Sequence, residues 1–324
     1  LIENMAVSVA ATVLNEVRDI PALVSSLAAQ TLAPAEIVIV DGGSTDGTWE
    51  WLLAAKSQYP ALVPIRDESC SLKYSPGPIA RGRNVGIAAA TSEIVACADA
   101  GCTYRPDWLA NLTASILAGT AEYSVGGSCI DPIRPTIWDL ASAPFFGIKL
   151  DPREPTKSCT ARSMAFRKEL WQRVGGFPET VFLGEDTVFD GKVRKLVAPA
   201  FAERAKAFYH PRHSFRSAVR QLASYSITDG VLGVRPARLA RNLARCVAEV
   251  LAIVALWWTP IPFAVVLVLE NYFAFRLDWR SLQRKPFGVA AARLIFSLLV
   301  PWVVTWYQIK GSITKSNQPN RQNA

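Results

Sequence analysis

Two short apolar runs end in aspartate: Ile37-Val38-Ile39-Val40 leads into Asp41, and Ile94-Val95-Ala96-Cys97-Ala98 into Asp99. Runs of this kind are the pattern of strands buried on both faces of a parallel sheet. Glycine follows at once in both places, as Gly42-Gly43-Ser44-Thr45-Asp46-Gly47 and as Ala100-Gly101-Cys102. Open α/β sheets take their ligands beyond the carboxyl ends of the strands, so two carboxylates there suit a nucleotide and a metal-bound diphosphate. Hard cations such as Mg²⁺ or Mn²⁺ prefer oxygen donors and leave positions for substrate phosphates. A third acidic site, Glu185-Asp186, follows Gly184 at the start of a predicted helix, where backbone N–H groups favour negative charge. A carboxylate of that kind can take the proton of an attacking hydroxyl.

The elements that must hold these groups alternate. Strands are predicted over Met5–Leu14, Ala35–Val40, Leu62–Arg66 and Ile94–Ala98. Helices are predicted over Ile20–Gln30, Thr48–Ser57, Arg81–Ala90 and Pro106–Leu117, with Pro76-Gly77-Pro78 as a loop. This order implies a mostly parallel sheet with flanking helices and right-handed crossovers, a Rossmann-like arrangement. From Ala121 the rhythm loosens: a strand over Tyr123–Cys129, an irregular stretch over Ile133–Leu150, and a strand over Ser163–Arg167. Short helices follow over Glu169–Val174 and Thr187–Leu196, and a last strand over Phe208–His210.

Composition divides the chain of 324 residues, which carries a formal charge of +8 and is 50% hydrophobic. Arginines 212, 216, 220, 235, 238, 241 and 245 precede two long apolar runs, Cys246–Leu269 and Gly288–Ile309. Basic residues beside apolar runs of this length suit anionic lipid headgroups better than nucleic acid. A bilayer span needs roughly 20 residues, but Thr259-Pro260-Ile261-Pro262 interrupts the first run, leaving one kinked span or two shorter helices. Trp302, Trp306 and Tyr307 are interfacial anchor types near one end of the second run. The six cysteines form no CxxC pair, so reduced thiols in a cytoplasmic domain are expected, with no leader before the first strand. The expected organisation is a catalytic domain over residues 1–230, a basic juxtamembrane linker over 231–245, membrane helices over 246–310 as two segments or three, and a polar tail over 311–324. The expected location is the inner or plasma membrane.

Taken together, the motifs resemble the family 2 glycosyltransferases with the GT-A fold. Val7-Ser8-Val9 with Asn15-Glu16 is similar to the family's opening strand and turn. Val40-Asp41-Gly42-Gly43-Ser44-Thr45-Asp46-Gly47-Thr48 is similar to its nucleotide-binding signature. Arg83-Asn84-Val85-Gly86 matches Arg-Asn-x-Gly, and Asp99-Ala100-Gly101 stands at the Asp-x-Asp metal motif. Gly175-Gly176-Phe177 and Gly184-Glu185-Asp186 resemble the acceptor-side motifs. The resemblance covers roughly residues 5–230, and it departs from the family at two points. Gly42 replaces the second residue of a double aspartate, and Gly101 removes one expected metal ligand. The Gln-x-x-Arg-Trp motif of processive members is absent. Arg220-Gln221 with Tyr225 and Asp229-Gly230 instead resembles a juxtamembrane element of non-processive, membrane-attached members.

The resemblance implies an inverting hexosyltransferase of polysaccharide biosynthesis. It would move a sugar from a nucleotide-diphosphate donor, UDP-linked as a family expectation, to a lipid-linked or surface-glycan acceptor. Asp186 would be the general base, with Glu185 orienting the acceptor. Thr12, Glu16, Asp41, Arg83 and Asp99 would line the donor site. Asp99 and His210 would hold a divalent cation, Mg²⁺ or Mn²⁺. Trp138, Phe145 and Phe146 lie where an acceptor could stack or a core form. Membrane lipids are expected partners and nucleic acid is not. Two alternatives stand beside this reading: a catalytically silent membrane-bound protein of the same fold, which Gly101 favours, and a nucleotidyltransferase, which the Glu-Asp pair argues against.

Overall fold

The chain forms two compact units, residues 1–131 with 151–210, and residues 132–150 with 211–324. This computed structural model describes residues 6–131, 135–146, 148, 160–210, 214–276 and 287–316. Met5, five residues of the stretch expected to be irregular (133, 134, 147, 149 and 150), Cys159, Arg212, His213, residues 277–286 and the tail from 317 lie outside the described residues.

The first unit opens with β1 (Val7–Val13), α1 (Ile20–Ala28), β2 (Glu36–Asp41), α2 (Thr48–Ala55), β3 (Leu62–Arg66) and α3 (Pro78–Ala89). It continues through β4 (Ile94–Cys97), β5 (Cys102–Tyr104), α4 (Trp108–Leu117) and β6 (Tyr123–Ile130). The chain then gives α5 (Ile137–Ser142) to the second unit and returns as β7 (Met164–Arg167), α6 (Lys168–Arg173), α7 (Glu185–Val193) and β8 (Ala200–Tyr209). The described strands form one sheet in the order β3-β2-β1-β4-β7-β6-β8-β5.

The expected mostly parallel sheet is corrected to a mixed one. Its first four strands are parallel, each delivered by a crossover. β7 enters from the excursion through the second unit rather than from a crossover helix, and runs antiparallel to β4 and β6. β6 and β8 are parallel, and β5 closes the edge antiparallel to β8. β8 is longer than predicted because Glu203, Arg204 and Lys206 mask it as a polar segment.

Residues alternate across the sheet into two cores. Val9, Ala11, Ile37 and Ile39 meet Leu23 and Leu27 of α1 and Trp108, Leu112 and Ile116 of α4. Ala10, Val38 and Val95 meet Ala80 and Ile87 of α3 with Phe166, Phe177 and Phe189. Covering both faces explains why β2 reads as an unbroken apolar run. α3 begins at Pro78, earlier than predicted, because proline's fixed φ and missing N–H suit the first helical position. It lies close on β1 through glycine: a Cβ at Gly82 would stand 2.1 Å from Thr12 Oγ1 and 2.8 Å from Thr12 Cβ.

The second unit contains α8 (Phe215–Leu232), α9 (Pro236–Ala255), α10 (Ile261–Arg276) and α11 (Phe287–Ser316). α9 runs through much of the stretch expected to be a linker. The first apolar run is broken at 256–260, so two helices stand where one kinked span was the alternative. Asp229 accepts from Arg235 Nη1 at 3.2 Å and Arg238 Nη1 at 2.8 Å across the turn between α8 and α9. Trp138, Phe145 and Phe146 pack with Phe215, Tyr225 and Phe296 in this unit's core.

α9 is inverted relative to a water-soluble amphipathic helix. Its buried positions are Asn242, Cys246, Glu249 and Ala252, while Val247, Val250, Leu251, Ile253 and Val254 are exposed. Inside, Arg245 pairs with Glu270, Ser297 Oγ donates to Glu270 Oε2 at 2.8 Å, and Trp302 Nε1 donates to Glu249 Oε2 at 2.5 Å. Trp257 and Trp258, at the end of α9, are 89% and 77% exposed. Among the described residues one segment, Phe287–Thr314, whose most apolar 18-residue window has a mean hydropathy of 2.0, is long and apolar enough to cross a membrane.

Overpacking a well-filled contact costs about 1–3 kcal/mol. Gly82→Ala, which must push α3 off Thr12, is therefore expected to lower thermal stability by that amount; a Tm equal to the parent's would show that α3 does not bear directly on β1.

Candidate active site

The loops after β1 and β2 are stitched together by the residues of the first two motifs. Asn15, with φ of 57°, donates its amide to Ser44 Oγ at 2.8 Å, and its Oδ1 accepts from Thr45 N at 2.9 Å. Glu16 N donates to Thr48 Oγ1 at 2.9 Å. Asp46 accepts from Val17 N at 3.1 Å and from Thr48 N at 3.1 Å, so it orders the turn and the first turn of α2. Thr12 Oγ1 donates to Val40 O at 3.3 Å.

Asp41 ends β2 fully buried. Its Oδ1 accepts from Gly43 N and Ser44 N, each at 2.8 Å, while its buried Oδ2 has no hydrogen-bond partner. An acceptor held that way costs about 1–3 kcal/mol in the absence of a donor. Gly42 has a steric reason for departing from the family pattern: a Cβ there would stand 2.7 Å from the Cys70 carbonyl oxygen.

Arg83 of α3 joins the remaining acids. Its side chain is 4% exposed; Nη2 lies 2.5 Å from Asp99 Oδ1, and Nη1 donates to Glu185 Oε1. Burial pulls the guanidinium's pKa down, but Asp99 and Glu185 overcome that and raise it. Glu185, buried at the start of α7, has its pKa raised by desolvation against the opposing pull of Arg83, with Asp186 raising it further. The helix N-terminus argued for an easily ionised Glu185; burial outweighs it. Asp186 is half-buried, and its Oδ1 accepts from Thr187 N at 2.7 Å.

Asn84, next to Arg83, spends its amide on the Gly-Gly-Phe turn. Its Oδ1 accepts from Phe177 N at 2.9 Å and Trp171 Nε1 at 3.1 Å, and its Nδ2 donates to Phe177 O and Glu179 Oε1, each at 2.9 Å. One turn of α3 thereby anchors Asp99, Glu185 and the loop before α7.

Sequence reasoning missed Arg162 and Tyr104. Asp99 N donates to Tyr104 Oη at 2.9 Å, and Tyr104 Oη donates to Arg162 O at 3.0 Å. Arg162 Nε lies 3.8 Å from Asp99 Oδ2, with its guanidinium 4.8 Å from the centre of the Tyr209 ring. Arg162 sits in Thr160-Ala161-Arg162-Ser163, which carries no motif; Tyr104 follows Asp99 closely, and an edge strand there was the signal available.

His210 follows β8. Its amide donates to Gly101 O at 2.8 Å, but its imidazole faces Thr103 Oγ1 at 3.0 Å and Asp131 Oδ2 at 3.3 Å. Among the described residues no group of three or more His, Cys, Asp or Glu side chains is gathered as a metal site. A cation brought with a diphosphate needs only one or two protein ligands besides phosphate and water. Asp99 and His210 would offer oxygen and imidazole donors, and among the described residues a Cβ at Gly101 would meet only His210 O, at 3.8 Å. The donor set and this open corner fit a shared ion.

Carboxylates at the ends of the parallel strands and at the start of α7 mark an α/β protein whose candidate ligand site is the carboxyl edge of its sheet. Residues 8–175, just over half the chain, match the family described as glycosyl transferase family 2. The chain belongs to that family. Glycosyltransferase AglE of Haloferax volcanii is 30% identical over 124 residues, 38% of this chain and 38% of that protein. The match therefore spans well under half of the relative's length. Mannosyltransferase PcManGT from Pyrobaculum calidifontis, solved with GDP-Man and Mn²⁺, superposes with a TM-score of 0.55 at 19% identity, covering 97% of this chain and 87% of that one. Residues 1–349 of S. aureus TarS, solved with UDP-GlcNAc, superpose with a TM-score of 0.50 at 17% identity over 98% of this chain and 93% of that one. At these identities the likeness is one of fold.

Removing one partner of a buried ion pair leaves an uncompensated charge and costs about 3–5 kcal/mol. Arg83→Met is expected to destabilise the first unit by that amount, read as a lowered unfolding midpoint. A loss below about 1 kcal/mol, the worth of a surface pair, would show that Asp99 and Glu185 do not depend on it.

Proposed function

We propose that the chain is a membrane-attached, inverting glycosyltransferase that moves one sugar from a nucleotide-diphosphate donor to a lipid-linked or surface-glycan acceptor. The observation that carries this reading is the Arg83 bridge, which ties the strand-end Asp99 of the donor side to Glu185 of the acceptor side within a chain of glycosyl transferase family 2. The buried Asp41 Oδ2 would receive an N–H or hydroxyl of the nucleoside, and Thr12 and Glu16 would line the same pocket. Asp99 and His210 would hold a divalent cation, which when bound draws charge off the departing diphosphate.

Asp186, exposed enough to meet an acceptor, takes the hydroxyl proton as the acceptor oxygen bonds to the anomeric carbon. The bond from that carbon to the diphosphate breaks on the opposite face, so the configuration inverts. Glu185 is bound to Arg83 and orients this edge rather than moving the proton. Neighbours of the fold were solved with GDP-Man and with UDP-GlcNAc; both nucleotide classes belong in the donor panel, although UDP is the family expectation.

Membrane attachment is supported by the inverted α9. A helix that buries Asn242 and Glu249 and exposes Val250, Leu251 and Val254 is suited to lipid rather than water. The exposed Arg235 and Arg241 at its start would face anionic headgroups, and the catalytic unit would lie on the cytoplasmic side.

The test is release of nucleoside diphosphate by the detergent-purified chain over a panel of UDP- and GDP-sugars, with and without Mn²⁺. Saturable release from one donor, with Asp186→Asn slowing turnover by about 10²–10⁴-fold while donor affinity holds, is the expected result. Normal turnover by Asp186→Asn would remove the base assignment, and nucleotide binding without turnover by the parent would favour the silent alternative. The chain is also expected to float with anionic vesicles and to stay with them through an alkaline carbonate wash; release by the wash would refute stable insertion.

A further inference from the structure

Position 101 lacks an acid where a side chain has room. Gly101 has φ of 70°, and among the described residues the only heavy atom within 4 Å of its absent Cβ, its chain neighbours apart, is the His210 carbonyl oxygen at 3.8 Å. Three strand ends meet beside it. Gly101 leads into β5, whose Cys102 faces Tyr209 of β8, and Tyr209 also faces Ile130 at the end of β6. His210 N donates to Gly101 O at 2.8 Å, and Asp131 N donates to Tyr209 O at 3.1 Å. The register therefore brings Asp131 to His210, where the two side chains lie 3.3 Å apart, with that of Asp131 12% exposed.

We propose that Asp131 supplies, through His210, the negative charge that the Asp99-Ala100-Gly101 turn lacks. With the Nε2 proton directed at the Asp131 carboxylate, His210 keeps its Nδ1 lone pair for a divalent cation shared with Asp99 and the donor diphosphate. A carboxylate behind a metal-bound imidazole fixes the tautomer and raises the basicity of the ring, and its loss costs about 10–100-fold in metal affinity. Thr103 Oγ1, 3.0 Å from the same Nε2, shares that proton as a second acceptor. Asp131 is thus a positioning residue. It follows an apolar strand and stands well apart in sequence from Asp99 and His210, so spacing alone does not reveal it.

The inference rests on the glycosyltransferase reading, because the cation arrives with a nucleoside diphosphate. Two measurements separate them: binding of UDP and GDP without metal, and Mn²⁺ binding to each nucleotide complex of the full chain, followed by the loss of the free Mn²⁺ resonance. Asp131→Asn is expected to weaken Mn²⁺ binding about 10–100-fold while metal-free nucleotide affinity stays as in the parent. Gly101→Asp in that background should restore it, since aspartate is among the residues that accept positive φ. Unchanged Mn²⁺ affinity in Asp131→Asn, or no rescue by Gly101→Asp, overturns the inference. A parent that binds nucleotide but no Mn²⁺ overturns it while leaving the glycosyltransferase reading standing; a parent that binds neither nucleotide removes both. Should Asp131→Asn fail to fold, Gly101→Asp alone carries the test. It is expected to tighten Mn²⁺ several-fold, and unchanged affinity overturns the proposal.

Discussion

The first unit is organised around a buried arginine that cannot be left unpaired. Arg83 is 4% exposed, and a charge at that depth is tolerable only with partners of opposite sign. Its two guanidinium nitrogens fix Asp99 at the end of the strand region and Glu185 at the start of α7. These acids are over 80 residues apart in sequence. The arginine holds its position because α3 lies on β1 through Gly82, and on β2 through Gly86, whose absent Cβ would stand 3.3 Å from Val40 Cγ2. Small residues on the helix thus set the distance at which the charge network forms.

Asn84 extends the same logic from charge to backbone. Its amide meets four groups on the segment before α7 and on Trp171, using both faces of a side chain that can donate twice and accept twice. Arg83 sets the acids and Asn84 sets the loop that presents them. Neither residue needs to touch a reacting atom for the Arg-Asn-x-Gly sequence to matter to the chemistry. The same reading separates Glu185 from Asp186: the first is committed to Arg83, while the second is half-exposed and bonded locally to Thr187.

What the sequence shows well is what local pattern controls. Unbroken apolar strands ending in aspartate revealed β2 and β4, and glycine-rich turns located the loops beyond them. Proline at the first helical position was misread as loop, because Pro78 both ends one segment and begins α3. The mixed order of the sheet was hidden because β7 returns from another unit, a long-range event without a local signature. β8 was hidden by its charged exposed residues. At the site, Asp41, Asp99 and Glu185 were visible as types at strand ends and a helix start. Arg162 and Asp131 were not, because what brings them in is register between distant strands. His210 was visible, but the partners that orient its ring were not.

The second unit presents the opposite physical problem. In water, helices bury apolar residues and expose polar ones; α9 buries Asn242 and Glu249 and exposes a row of valine, leucine and isoleucine. Beside the apolar cluster of Leu222, Phe296, Val300 and Val304, the interior of this unit carries Arg245 with Glu270, Ser297 with Glu270, and Glu249 with Trp302. Such pairs gain in an apolar surrounding, where an unpaired polar group has no water to turn to. Polar pairs inside and apolar surface outside would then be one design, since helices in lipid would have no hydrophobic reason to associate and would recognise each other by packing and hydrogen bonds. A helix that turns Val250, Leu251 and Val254 outward over buried Asn242 and Glu249 is the arrangement an apolar surrounding would favour, and that inversion is the physical ground of the proposed membrane attachment.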